Sequence, residues 1–236
     1  MWDAVLFDLD GTLLPLNMEL FLPKYFQALA AKLELEVEPF VEQLLASTEK
    51  MIKNQGTRTN KEVFDSDFYR HLPGEPKELE RLIDEFYEDC FPKLGDGIKP
   101  HPDAKRAVEA AFAITEHVVV ATNPVFPKSA ILARLQWAGL VHYPFSLITS
   151  YENMHSAKPN PQYYFEIAEK LCIDPRKALM IGNDVDEDLA ASEVGMQTFL
   201  VDEMLINPSG KPIACLGRGS LAQCADFLEK YVRKEN

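Results

Sequence analysis

A chain of 236 residues has room for one ordinary domain and a smaller added module, and its 47% hydrophobic and 26% charged content excludes a disordered polymer. Net charge is −13, from 37 acidic against 24 basic side chains, which argues against nucleic acid or an anionic membrane as a partner. No apolar run nears the roughly 18 residues that cross a bilayer, no secretion signal is read at Met1-Trp2-Asp3-Ala4, and the four cysteines form no Cys-x-x-Cys pair. Free thiols in the cytoplasm are expected.

In chain order, Ala4-Val5-Leu6-Phe7 is a short apolar run ending in acid and glycine, the pattern of a buried parallel strand. Residues 17 to 93 break the rhythm and read as four amphipathic helices. Phe21, Tyr25, Leu29 and Leu33 form the first stripe, and Phe40, Val41, Leu44, Leu45, Met51 and Ile52 the second. Thr59 and Glu62 make a capping box ahead of Val63, Phe64 and Phe68. After Pro73-Gly74-Glu75-Pro76, the fourth stripe is Leu79, Leu82, Ile83, Phe86 and Tyr87. The aromatic stripes are expected to form this module's own core. Gly95-Asp96-Gly97 and Pro100-His101-Pro102 read as the return linker.

Beyond the linker, strand and helix alternate. The runs 117–121, 145–148, 178–181 and 198–201 read as strands, and 102–115, 127–138, 160–172 and 186–194 as helices, with Gly139 and Gly195 as helix stops. This spacing predicts an α/β fold with a Rossmann-like parallel sheet covered on both faces. The expected division is a core of residues 1–15 plus 96–236 with a helical cap at 16–95 inserted after the first strand.

Ligands of such sheets bind beyond the carboxyl ends of the strands. There the sequence supplies Asp8, Asp10, Gly11 and Thr12 after the first strand and Thr122 and Asn123 after the second. Lys158-Pro159 follows the third, and Asn183, Asp184, Asp186 and Asp188 the fourth. Carboxylates, a hydroxyl and a lysine on one edge suit phosphoryl transfer. A carboxylate attacks phosphorus, a second one moves the proton, and Thr and Lys hold the phosphoryl oxygens. Magnesium, a hard ion needing only one or two carboxylates, offsets the repulsion between acid and phosphate. Gly11 permits a sharp turn there, and Gly11, Thr12 and Asn123 are expected at the substrate.

Asp8-x-Asp10-Gly11-Thr12, Thr122-Asn123, Lys158-Pro159 and Gly182-Asn183-Asp184-x-x-x-Asp188, in that order over residues 4 to about 202, resemble the haloacid dehalogenase superfamily. The helical insertion resembles that family's type 1 cap. The resemblance implies Asp8 as nucleophile, Asp10 as acid and base, Thr122 at the phosphate and Lys158 stabilising charge. It also implies Mg2+ held by Asp8, the Asp10 backbone carbonyl and an acid of the fourth motif. Many members have Gly-Asp where this chain has Gly182-Asn183. Asp184 is therefore expected as the direct ligand, with Asn183 offering its side-chain oxygen or bonding a metal-bound water. Asp188 is expected to orient Lys158 or the metal waters, and the dipole of a helix start is expected to account for Asp186 and Glu187. From the cap, Arg58 is the candidate cation for an anionic leaving group.

The second aspartate, Asp10, fits phosphate esters. The resulting expectation is a Mg2+-dependent phosphomonoester hydrolase acting through an aspartyl-phosphate on a small phosphorylated substrate. A sugar phosphomutase is the runner-up. Non-catalytic regulatory and receiver-domain readings rank lower, the first because the four catalytic residues are intact, the second because of the long insertion. Oligomeric state leaves no signature in the sequence.

Overall fold

The computed structural model describes residues 2–232. Strand β1 (Ala4–Phe7) is buried along its whole length, as a parallel strand covered on both faces must be. It pairs with β2 (His117–Val120) on one side and β4 (Ala178–Gly182) on the other, which puts Phe7 level with both Val120 and Ile181. With β3 (Leu147–Ile148), β5 (Gln197–Val201) and β6 (Gly217–Gly219), the all-parallel sheet has the order β3-β2-β1-β4-β5-β6. The expected α/β sheet is present.

Alternation along the strands feeds two separate hydrophobic clusters. Val5, Phe7, Val118, Val120, Leu179 and Ile181 face one side, where α5 (Ala104–Phe112), α6 (Lys128–Trp137) and α8 (Leu221–Glu229) cover them. Ala4, Leu6, Val119, Ala121, Ala178 and Met180 face the other, against Tyr163, Tyr164, Ile167 and Ala168 of α7 (Pro161–Leu171). Each buried large side chain contributes about 1.5–3 kcal/mol.

Residues expected to carry the inserted module form α1 (Met18–Lys32), α2 (Val37–Ile52), α3 (Asn60–His71) and α4 (Pro76–Glu85), followed by a π turn and a 3-10 turn through Gly95. The Thr59–Glu62 capping box is made. Their apolar faces join the first cluster without a break. Aromatic rings build the joint: Trp137 of α6 stacks on Phe91 at 5.5 Å and meets Phe21 of α1 at 5.9 Å. Gly95 is required here, since a Cβ would lie 2.2 Å from the Trp137 indole.

Four elements differ from the sequence expectation. The helix expected over 186–194 is a 3-10 turn, Leu189–Val194, because the Asp184 carboxylate takes the Asp186 and Glu187 amides and bends the chain first. The strand expected over 145–148 shortens to two residues. Finally, β6 and α8 were not foreseen, although Ser220 and Gln223 form a capping box ahead of the buried Leu221, Cys224, Ala225 and Leu228. No helix among the described residues is long and apolar enough to cross a membrane.

Candidate active site

Asp8 is the first residue beyond β1, and its amide still donates to Ile181 at 2.8 Å, so the strand's own pairing fixes the carboxylate. It is 8% exposed. Lys158, wholly buried on the loop ahead of α7, donates from Nζ to Asp8 Oδ1 at 2.8 Å and to Asp188 Oδ1 at 2.6 Å. Asp188 Oδ2 in turn accepts the Asp184 amide at 2.9 Å. Asp188 thus ties Lys158 to the start of the loop after β4. Its carboxylate packs so closely on β4 that a Cβ on Gly182 would lie 2.1 Å away.

Burial sets the protonation of this cluster. Desolvation pushes Asp8 up to about 8, with Lys158 opposing and Asp188 and Asp10 adding to the rise. Lys158 is held well above its usual range: burial works against it, but Asp188 and Asp8 prevail. Asp184 is raised by burial, and Glu187 is pushed by burial to about 7.

Asp10 has a partner the sequence reading missed. Its Oδ2 forms an ion pair with Arg134 of α6, which is 1% exposed and stacks its guanidinium over the Phe126 ring at 4.5 Å. Burial raises Asp10, with Arg134 opposing. Asp10 Oδ1 and Arg134 Nη2 are buried without a protein partner among the described residues. Both residues line the cleft at the end of the sheet, a space of about 240 Å³. Arg134 gave no signal in the sequence because arginine on an amphipathic helix normally marks its wet face.

Thr122 and Asn123 also line the cleft. The Thr122 carbonyl is fixed by Tyr163 at 2.9 Å and Thr149 at 2.7 Å, and its hydroxyl has no protein partner among the described residues. Asn123 donates to Glu187 at 2.9 Å. Glu187 therefore faces the cleft, contrary to the expectation that the helix dipole alone accounts for it. Asp186 instead binds Ser209 and Lys211.

Four residues expected at the substrate or the metal, Gly11, Thr12, Asn183 and Arg58, make other contacts in the structure. Gly11 adopts φ +88° and its amide donates to Leu14, while the Thr12 amide donates to Leu9, so both close the turn after Asp10. The Thr12 hydroxyl donates to Asn183 Oδ1 at 3.0 Å, and Asn183 Nδ2 donates to the Met204 carbonyl at 2.6 Å. With its oxygen taken by Thr12, Asn183 is a clamp beneath the turn, and only glycine at 11 leaves it room: a Cβ there would lie 2.5 Å from its nitrogen. Arg58 stays outside the cleft, exposed, with Ser66 as its 3.4 Å partner. Asn54 folds that loop back by accepting from the Gly56 amide and donating to the Arg58 carbonyl, so the segment reaches the sheet through Asn60 instead.

The charge balance bears on a metal. Among the described residues five acids, Asp8, Asp10, Asp184, Glu187 and Asp188, line the cleft with one cation, Arg134, while Lys158 is bonded behind them to Asp8 and Asp188. Among the described residues no three His, Cys, Asp or Glu side chains gather tightly enough to hold a metal by themselves. Two carboxylates, Asp8 and Asp184, with the Asp10 carbonyl suit Mg2+, which keeps several waters, better than an all-protein cage would.

A family model described as haloacid dehalogenase-like hydrolase matches residues 2–195. The chain belongs to that family. Similar to this hydrolase is a glyceraldehyde 3-phosphate phosphatase of Methanopyrus kandleri, 28% identical over 85% of this chain and 84% of the relative. A phosphorylated carbohydrates phosphatase of Thermotoga maritima is 23% identical over 96% of each. In fold, the hydrolase is similar to CbbY from Rhodobacter sphaeroides, solved in complex with phosphate, with TM-score 0.62 and 20% identity over 94% of this chain and 96% of that one.

Proposed function

We propose that this haloacid dehalogenase-like hydrolase is a Mg2+-dependent phosphatase of small phosphorylated metabolites, working through an aspartyl-phosphate on Asp8. The observation that carries the reading is the Asp8–Lys158–Asp188 chain, which aims a buried carboxylate from the end of the central strand into the cleft. The phosphatases named among the similar proteins support it.

An Asp8 oxygen attacks phosphorus and the bond from phosphorus to the leaving oxygen breaks. Asp10, entering with a proton on Oδ1 while Oδ2 accepts from Arg134, gives that proton to the leaving oxygen and the alcohol departs, which leaves Asp10 ionised against Arg134. Asp10 then takes a proton from water, whose oxygen attacks the acyl-phosphate phosphorus. Inorganic phosphate leaves and Asp8 is restored. Lys158 and the Thr122 hydroxyl hold the phosphoryl oxygens as charge develops on them. Arg134 fixes Asp10 while leaving Oδ1 free for the leaving oxygen. Held by Asp8, Asp184 and the Asp10 carbonyl, Mg2+ would keep Asp8 ionised and draw off phosphate charge. Phosphate release from a generic aryl phosphate is expected to need magnesium and to fall at least about a thousandfold in Asp8→Asn, an amide being no nucleophile. Unchanged turnover in that variant, or in excess chelator, would sink the reading.

A further inference from the structure

Directly above the cleft lies a second cavity of about 190 Å³. The two share Met18, Val125 and Phe126 as lining, so this space adjoins the one that Asp8 lines. Its wall is built from Phe26, Leu44, Phe64, Phe68, Ile83 and Tyr87 among others, and every lining side chain is uncharged. Several polar atoms on the wall are already satisfied. The Tyr25 and Tyr87 hydroxyls share a hydrogen at 2.7 Å, and Thr48 donates to the Leu44 carbonyl at 2.8 Å. The aromatic stripes expected to serve only as the helical module's core are in part the wall of a binding space: Phe64 is only half-buried, while Phe68 is fully buried yet lines the wall. Among the described residues only the Tyr69 and Tyr151 hydroxyls are left to bond a ligand, so a polyhydroxylated or carboxylated leaving group would recover few of the hydrogen bonds it loses with its water. An apolar one gains by the area it removes from water. For scale, an apolar cavity of about 150 Å³ holds a benzene ring.

We propose that the substrate is a phosphate monoester of an uncharged, apolar alcohol whose ring or branched carbon body, benzene-sized or slightly larger, fills this cavity. The inference rests on the phosphate-ester reading of the cleft and names its substrate class. It also turns the choice away from a sugar phosphomutase, whose leaving group carries hydroxyls.

The test compares phosphate release by the wild-type protein with magnesium from benzyl phosphate, cyclohexylmethyl phosphate, ethyl phosphate and glycerol 3-phosphate. All four are primary alkyl esters, so leaving-group reactivity is close to matched. The expected kcat/KM for the two ring esters is at least tenfold above both ethyl and glycerol phosphates, a difference of about 1.4 kcal/mol. Comparable values for ethyl and benzyl esters, or a lead for glycerol 3-phosphate, would overturn the apolar pocket and leave the phosphatase reading standing. No release from any ester would overturn the phosphatase reading itself. Leu44→Trp, which fills the cavity, is expected to cut the benzyl-to-ethyl ratio to below threefold. A folded Leu44→Trp that keeps the full ratio would count against the proposal. Should that variant not fold, Phe64→Ala, which removes part of the apolar wall, is expected to lower the benzyl-to-ethyl ratio at least threefold, and an unchanged ratio there would overturn the proposal.

Discussion

The ion pair of Arg134 with Asp10 is closed off by the Phe126 ring and by α6 itself, whose Ala130 carbonyl accepts from Arg134 Nε at 3.3 Å. Removing one member of a buried pair leaves the other charge without compensation, which typically costs about 3–5 kcal/mol. Arg134→Met should therefore lower stability by roughly that amount, read from denaturant unfolding. Its kcat should drop more than KM rises, because Asp10 loses its fixed direction. Arg134→Lys keeps the charge but not the planar fork, and should recover stability better than turnover. Equal stability of the methionine variant would mean that Asp10 is held by something else.

Lys158 and Asn183 show how identity and role separate. Lys158 was legible because lysine before proline, ahead of a helix, occurs in order with the other motifs, and the structure gives it the two carboxylates it needs. Asn183 lies in an equally recognisable motif, yet its amide is spent on Thr12 and Met204. A motif fixes which strand end a residue follows. The partners arriving from residues 12 and 204 decide what its side chain does.

Among the elements, α3 carries the clearest link between the helical insertion and the sheet edge. Its first residue, Asn60, is completely buried and donates from Nδ2 to the carbonyls of Pro124 and Ser156, while its amide donates to Met154. Those carbonyls belong to the loops that present Thr122 and Lys158. Asn60→Ala strands buried acceptors and should cost about 1–3 kcal/mol, measured by thermal or denaturant unfolding. Turnover should fall as the loops loosen. If stability and kcat both match the wild type, α3 does not brace these loops. The capping box of α3 was readable at Thr59 and Glu62, but the burial of the adjacent Asn60 was not, because asparagine at a helix start is ordinarily a solvated turn residue. Likewise β6, the three residues Gly217–Gly219, has no periodic pattern to detect and exists because β5 offers it an edge.

For the whole molecule, acidity and burial together set a pH response. Asp8 and Glu187 are carried up to about 8 and about 7 in the fold, from ordinary values of 3.8 and 4.5. As pH rises between those limits the unfolded chain releases these protons first, so the stability they contribute is complete below about 4 and is lost by about 8. Groups lowered by exposed partners, such as Asp174 at about 2, act in the opposite sense but only at more acid pH. In chelator, Tm should therefore fall between pH 5 and 8, by roughly 2–4 °C for each kcal/mol lost in a chain of this size. Magnesium should restore it most at the alkaline end, where its ligands are ionised. A chelated Tm that is flat or rising over this interval would contradict the buried-acid cluster.

By itself the sequence determined the alternation of strand and helix, the four-helix insertion and the order of Asp8, Thr122, Lys158 and Asp184 along one sheet edge. Each of those features is written in local periodicity or in a strand end followed by polar residues. Only the tertiary structure shows that Arg134 and not Arg58 lines the cleft. It alone showed that Glu187 turns inward, that Asn183 braces the turn, and that the aromatic stripes line an apolar space adjoining the cleft. Such contacts join residues far apart in the chain, and their energies depend on burial and on the partners that arrive, which no local pattern records.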